Sequence, residues 1–181
     1  MPPGGPLSFE ADQSLIFGDE GGYSCDPSDA GNWTGGAVGA GTLRGTKYGI
    51  SAAAFPTLDI AALTRAQAAA IYRARYWDRI GGDALPAPLA LLLFDCAVNQ
   101  GVGAAARILQ ASLGVATDGV IGPVTLGAVA RADQASLLVD VTARRALRYA
   151  ETGALVVFGL GWMRRLTRTA RLAFLAQGAT P

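Results

Sequence analysis

The sequence predicts a mainly α-helical protein, and three observations carry that reading. Apolar residues recur at helical spacing along most of the chain. No run alternates apolar and polar residues long enough to make a convincing strand. Gly, Pro and capping residues punctuate the periodic stretches at helical lengths. The first helix is expected after Ser8, which can cap it. Glu10 lies in its first turn, where the helix dipole favours an acid, and Phe9, Gln13, Ile16 and Phe17 share a face. Gly21 and Gly22 end it and leave Glu20 at its terminus.

From Tyr23 to Tyr48 the chain reads as a long Gly-rich loop with room for a short hairpin. Asp26-Pro27, Gly31-Asn32, Gly35-Gly36 and Gly45 mark its turns. Thr64-Arg65-Ala66-Gln67 is a capping box opening an Ala-rich helix through Trp77, and Gly81-Gly82 breaks the chain. Pro86 and Pro88 introduce a very apolar helix, Leu89 to Gln100, stopped by Gly101. Further helices are expected over Ala104–Ser112, after Gly122-Pro123, from the Asp133 cap to about Ala150, and over Val156–Ala176. Asp95 on so apolar a helix needs a cationic partner, and Arg73 or Arg75 is expected to supply it in a structural role.

Composition bounds the function. At 181 residues, 51% hydrophobic and 16% charged, the chain is globular rather than disordered. Its mean hydropathy of +0.30 is raised by Ala. Charges or polar groups interrupt every apolar run short of the ~20 residues that span a bilayer, so stable membrane insertion is not expected. Met1–Pro6 has no basic region, and Glu10 and Asp12 break the first apolar stretch. No secretory signal is legible, and cytoplasmic synthesis is expected. A net charge of +1 argues against nucleic acid. Seven arginines from Arg144 to Arg171 crowd the C-terminal third. They read as solvated helix faces rather than as a patch for an anionic envelope. Cys25 and Cys96 are too few for a disulfide scaffold or a zinc site, and two small buried side chains are the expectation.

The sequence contains no histidine. This excludes Ser-His-Asp and Cys-His nucleophilic catalysis and the His-ligated zinc sites of many hydrolases. Carboxylate chemistry remains. Glycoside hydrolysis needs a carboxylic acid to protonate the leaving oxygen and a second group to activate water or steady the sugar cation. Glu20, at the end of an apolar helix before two glycines, suits the acid role, although such a glutamate is more often merely solvated.

A family resemblance changes that weighting. The run Glu20-Gly21-Gly22-Tyr23, then Asp26-Pro27-Ser28-Asp29, then Gly45-Thr46-Lys47-Tyr48-Gly49-Ile50, resembles the N-terminal signature of glycoside hydrolase family 108, the phage and bacterial N-acetylmuramidases. Ile71-Tyr72-Arg73 with Tyr76-Trp77 is similar to the family's tyrosine-rich helix. Phe94-Asp95 with Ala97-Val98-Asn99-Gln100-Gly101 is similar to its central helix. Leu109-Gln110, Asp118-Gly119-Val120-Ile121-Gly122-Pro123 and Gly161-Trp162 with Arg165 resemble the peptidoglycan-binding segment that commonly follows. The resemblance covers about residues 9 to 175 in order.

It implies a lysozyme-like α+β fold with the Gly-rich loop or a small hairpin as one wall of a cleft. Residues 7–101 would be the catalytic region and 102–178 a helical peptidoglycan-binding region packed with it as one body. It implies hydrolysis of the β-1,4 bond between N-acetylmuramic acid and N-acetylglucosamine with Glu20 as general acid. Asp29 lies nine residues on, the offset between the catalytic Glu and Asp of phage-type lysozymes, and Thr46 holds the place of their Thr before a Gly-Ile turn. A stretch from Asn32 to Arg44 is inserted between the two, and Asp26 is the alternative partner.

Tyr48 is expected as a cleft wall, with Trp33 in the inserted loop as either a glycan contact or a pin. Asn99 and Gln100 are candidates for the glycan's N-acetyl or hydroxyl groups, with a helix cap at Asn99 as the alternative. The Asp118-Gly119 turn is expected to be structural. No metal or organic cofactor is implied. The expected partner is the glycan strand of peptidoglycan, reached by a monomer through a holin or in a phage-like virion. The competing readings are a lytic transglycosylase and a non-catalytic wall-binding or tail component.

Overall fold

The computed structural model describes Phe9 and residues 22–178; Ser8, Glu10, Gln13, Ile16, Phe17 and Glu20 lie outside the described residues. The chain divides into two compact units, residues 13–72 and residues 1–12 with 73–181. The mainly helical class holds, with one small antiparallel sheet.

In the first unit, β1 (Thr46–Lys47) and β2 (Ile50–Ser51) form a hairpin, with Thr46 opposite Ser51 and Lys47 opposite Ile50. Its two turn residues, Tyr48 (φ 52°) and Gly49 (φ 73°), both have positive φ, the turn geometry that matches the twist of a two-stranded ribbon. Gly49 has a second reason to lack a side chain, because a Cβ there would stand 2.6 Å from the Tyr72 hydroxyl. The insertion at Asn32–Arg44 is a Gly-rich tongue. Trp33 bridges to Leu43, Thr34 N donates to Thr42 O at 3.0 Å, and Gly35 N donates to Ala40 O at 3.0 Å. α1 (Arg65–Tyr72) opens on the predicted capping box, with Gln67 N donating to Thr64 Oγ1 at 3.2 Å and Thr64 N to Gln67 Oε1 at 2.9 Å. Ile50, Ala52, Ile60, Leu63, Ala68 and Tyr72 are the buried hydrophobic residues described in this unit.

The second unit begins where α1 gives way to a π turn, Arg73–Trp77, followed by short 3-10 turns at Asp78–Ile80 and Gly82–Ala84. The expected single α-helix through Trp77 therefore ends at Tyr72. The wider turn goes with the needs of two residues. Trp77 is buried with its ring against Gly82, its Nε1 donates to Asp83 Oδ1 at 2.8 Å, and its ring lies 5.5 Å from those of Phe9 and Phe94. Arg73 reaches Asp83 at 2.6 Å and Asp78 at 3.4 Å.

The bundle that follows comprises α2 (Ala87–Gln100), α3 (Val102–Leu113), α4 (Pro123–Arg131), α5 (Gln134–Glu151) and α6 (Leu155–Gly178). Each boundary has a local cause. Pro88 sits in the first turn of α2, Gly101 (φ 93°) separates α2 from α3, Pro123 starts α4, and the Asp133 carboxylate accepts from Ser136 N at 2.9 Å to cap α5. α2 is central: Leu89 to Ala97 are all buried because α3, α5 and α6 pack around it.

That position corrects the expected partner of Asp95. The face of α2 that carries it turns toward α5 and α6, so Arg145 Nη2 meets Oδ2 at 2.7 Å and Arg165 Nε meets Oδ1 at 2.7 Å. Arg73 is engaged by Asp78 and Asp83 instead. Arg145 is 0% exposed and also donates to Leu92 O at 3.1 Å, so the C-terminal arginines are not all solvated faces. Among the described residues no helix is long and apolar enough to cross a membrane.

Candidate active site

Two candidate residues of the first unit, Asp26 and Thr46, are hydrogen-bonded to one buried side chain that sequence reasoning did not single out, Asn32. It is 0% exposed. Its Nδ2 donates to Asp26 O at 2.9 Å, and its Oδ1 accepts the Thr46 hydroxyl at 2.7 Å. Its backbone N donates to Asp29 O at 3.1 Å, and its carbonyl accepts from Arg44 N at 2.9 Å and Gly45 N at 3.0 Å. The tongue thus leaves and returns at the same residue. An insertion whose ends meet does not separate what it interrupts, and Asp26, Asp29 and Thr46 stay tied to one residue, the first and last through its side-chain amide and Asp29 through its backbone N–H. Burial of an asparagine inside a Gly-rich loop has no sequence signature; only the turn at Gly31-Asn32 pointed to it.

Around this hub the carboxylates differ. Asp26 Oδ1 accepts Ser28 N at 2.8 Å and Ser28 Oγ at 2.7 Å, and these bonds hold its carboxyl below the usual range. Asp26 is therefore a fixed, ionised turn residue. Asp29 Oδ1 accepts Gly31 N at 2.8 Å and caps the 3-10 turn Ala30–Asn32; among the described residues its Oδ2 accepts no hydrogen bond. A Cβ placed on Gly31 would lie 3.2 Å from Asp29 Oδ1 and 3.8 Å from Ser51 Cβ. The Asp29 carboxylate and Ser51, the hairpin partner of Thr46, therefore border the same small glycine. Ser51 is a second residue the sequence reading passed over.

Thr46 spends its only proton on Asn32, so its lone pairs remain to accept an O–H from water or a sugar. Tyr48 holds a backbone conformation that bulky L residues avoid, its carbonyl accepts from Tyr72 Oη at 3.1 Å, and the Lys47 ammonium lies 5.6 Å from its ring. Trp33 is half-buried, and its Nε1 donates to Pro27 O at 2.9 Å, which pins the base of the tongue.

Two predictions arise here. Asn32→Ala leaves the Asp26 carbonyl and the Thr46 hydroxyl without their buried partner, an expected loss of about 1–3 kcal/mol in urea unfolding at unchanged denaturant slope. Tyr48→Asn places a residue tolerant of positive φ in the turn. It is expected to raise the unfolding free energy by up to about 1 kcal/mol while slowing wall clearing, the trade expected where strain serves a site.

In the second unit, Asn99 accepts from the Tyr149 hydroxyl, and Tyr149 stacks on Trp162 at 4.9 Å and 18°. Asn99 does not cap α2: Gly101 closes it, N–H to Ala97 O at 3.0 Å. Gln100 donates to Arg145 O at 3.3 Å and accepts from Cys96 Sγ at 3.3 Å. Burial pushes that thiol up to about 11, and both cysteines are free. Gln100 also edges a cavity of about 390 Å³ between α3 and α5, whose lining includes Arg107, Arg144, Arg148 and Glu151. The Asp118-Gly119 turn is locked onto α3 by buried Gln110. Its Nε2 donates to Asp118 Oδ1 at 2.6 Å and Val120 O at 3.0 Å, and its Oε1 accepts from Gly119 N at 2.9 Å.

Comparison with known proteins fits this layout. The glycosyl hydrolase 108 model matches residues 13–101, and a predicted peptidoglycan domain matches residues 104–167. The chain is similar to the solved structure of Brucella abortus SagA, with 32% identity over 92% of this chain and 93% of that one and a TM-score of 0.76. A search of curated proteins gave no match. A glycoside hydrolase region joined to a peptidoglycan domain gives the protein a peptidoglycan-hydrolysing and peptidoglycan-binding role, exerted at the cell wall. The chain belongs to the glycosyl hydrolase 108 family.

Proposed function

We propose that the protein is a muramidase that hydrolyses the β-1,4 bond between N-acetylmuramic acid and N-acetylglucosamine. In this reading Glu20 gives its proton to the bridging oxygen as the C1–O bond breaks. Water adds to C1, and its proton passes to Asp29, while Thr46 orients that water or the sugar through its oxygen. The observation that carries the second half is the Asn32 hub, which ties the Asp29 turn and Thr46 together across the inserted tongue. In the first unit Tyr48 and Trp33 serve as apolar walls for sugar rings, with Asp26 as a polar contact; in the second unit Asn99 and Gln100 are candidates for N-acetyl or hydroxyl groups of the glycan. Residues 7–101 cut, and residues 102–178 hold the wall through the cavity between α3 and α5, whose arginines supply cations for carboxylates of the peptide stems. The protein acts as a monomer delivered by a holin or in a virion, as an endolysin would be.

Product chemistry tests the reading. Purified sacculi digested with the protein are expected to yield fragments ending in reducing muramic acid by mass spectrometry. Anhydro ends would make the enzyme a transglycosylase, and released peptide stems with intact glycan would refute both.

A further inference from the structure

The exposed side of α6 matches a surface that no part of the wall-cutting reading uses. Its inner side is ordinary: Gly159, Leu166, Ala170 and Ala173 are buried, and α2 and α5 pack on the helix. Its outer side is not. Val156, Leu160, Arg164, Thr167 and Arg171 follow one another at spacings of three or four residues and so lie along one line of the helix surface. The first two are 98% and 67% exposed, and Val157, flanking that line, is 75% exposed. Three large apolar side chains presented to water within five residues are unusual on a soluble domain. The same helix carries four arginines, and from Thr152 to Pro181 there is no acidic residue at all. Arg165 turns inward to Asp95, whereas Arg164, Arg168 and Arg171 are exposed.

We propose that this face of α6 docks the protein onto an anionic phospholipid bilayer. An apolar tip followed by a cationic row with no acid fits a surface whose headgroups are negative and whose acyl boundary lies just beneath them. The helix lies on the membrane rather than across it, consistent with the absence of any spanning helix among the described residues. Docking of this kind holds a wall-cutting enzyme in the thin layer between membrane and glycan.

Sedimentation of the full chain with vesicles tests this. Vesicles of equal parts phosphatidylglycerol and phosphatidylcholine are expected to bind it about tenfold or more better than phosphatidylcholine alone, with binding weakened by added salt. Val156→Ser with Leu160→Ser, and separately Arg164→Gln with Arg171→Gln, should each lower that binding about tenfold while the far-UV circular dichroism stays wild-type. Hydrolysis of membrane-free sacculi should be unchanged in both double variants, which keeps this result separate from the success or failure of the muramidase reading. No binding to anionic vesicles, or equal binding to neutral ones, overturns the proposal. So does a concentration-dependent dimer that the Val156 and Leu160 changes dissolve in the absence of vesicle binding, because the face would then belong to a second copy.

Discussion

Glu20→Gln is expected to slow the clearing of outer-membrane-permeabilised cells by about 10²–10⁴-fold, the range that loss of a positioned general acid produces. At 1.36 kcal/mol per tenfold, that is roughly 3–5 kcal/mol of transition-state stabilisation. Glutamine keeps the volume and hydrogen-bonding reach of the side chain and removes only the transferable proton. A loss of this size with an unchanged urea midpoint therefore reports chemistry and not folding. The alkaline limb of the pH–rate profile should vanish in the variant, since that limb records ionisation of the acid. Equal clearing by wild type and variant, or by neither, removes the enzymatic reading. The partner groups have their own control. Asp29→Asn combined with Thr46→Ala should slow turnover with Glu20 intact, and full activity in that double variant would leave Glu20 without the help assigned to it.

The helical bundle was legible because its signals are local. A proline in the first turn, a glycine of positive φ at the end, or an aspartate accepting from an N–H three residues on is written within a few residues, and the starts of α2, α4 and α5 and the ends of α2 and α3 stand where those residues are. The π turn at Arg73–Trp77 was not legible. It accompanies the placement of Trp77 against Phe9 and Phe94, and the distance from Phe9 to Phe94 along the chain hides that cluster from any local pattern. The site shows the same division. Asp26, Asp29, Thr46 and Tyr48 could be named from motif order, but the residue that joins three of them could not. Asn32 acts through bonds to positions 14 residues ahead and 6 behind, and a Gly-rich sequence gives no period from which its burial follows. Asp95 was read correctly as needing a cation and wrongly as finding it at Arg73 or Arg75. Its partners lie 50 and 70 residues further on.

Asp95→Ala is expected to cost about 3–5 kcal/mol of unfolding free energy, because it strands a guanidinium that has no route to water. Arg145 is 0% exposed, and among the described residues its Nε lacks a hydrogen-bond partner, so the carboxylate is the main compensation for its charge. Arg165 should matter less. Its side chain is 28% exposed and can turn outward, so Arg165→Gln is expected to cost about 1 kcal/mol. Urea unfolding measures all three proteins, and a loss below about 1 kcal/mol for Asp95→Ala would show that the pair does not hold α5 to α2. The decisive arm is Asp95→Leu with Arg145→Met. Apolar replacement of a buried ion pair is often neutral or better, so this double variant should recover most of the stability that Asp95→Ala loses. Stability restored without charge would then isolate what the ion pair does for the site. The Arg145 carbonyl accepts from Gln100, and Asn99 accepts from Tyr149 one turn further along α5. If the pair sets the register of α5 against the end of α2, the double variant should be stable and yet bind peptidoglycan less well.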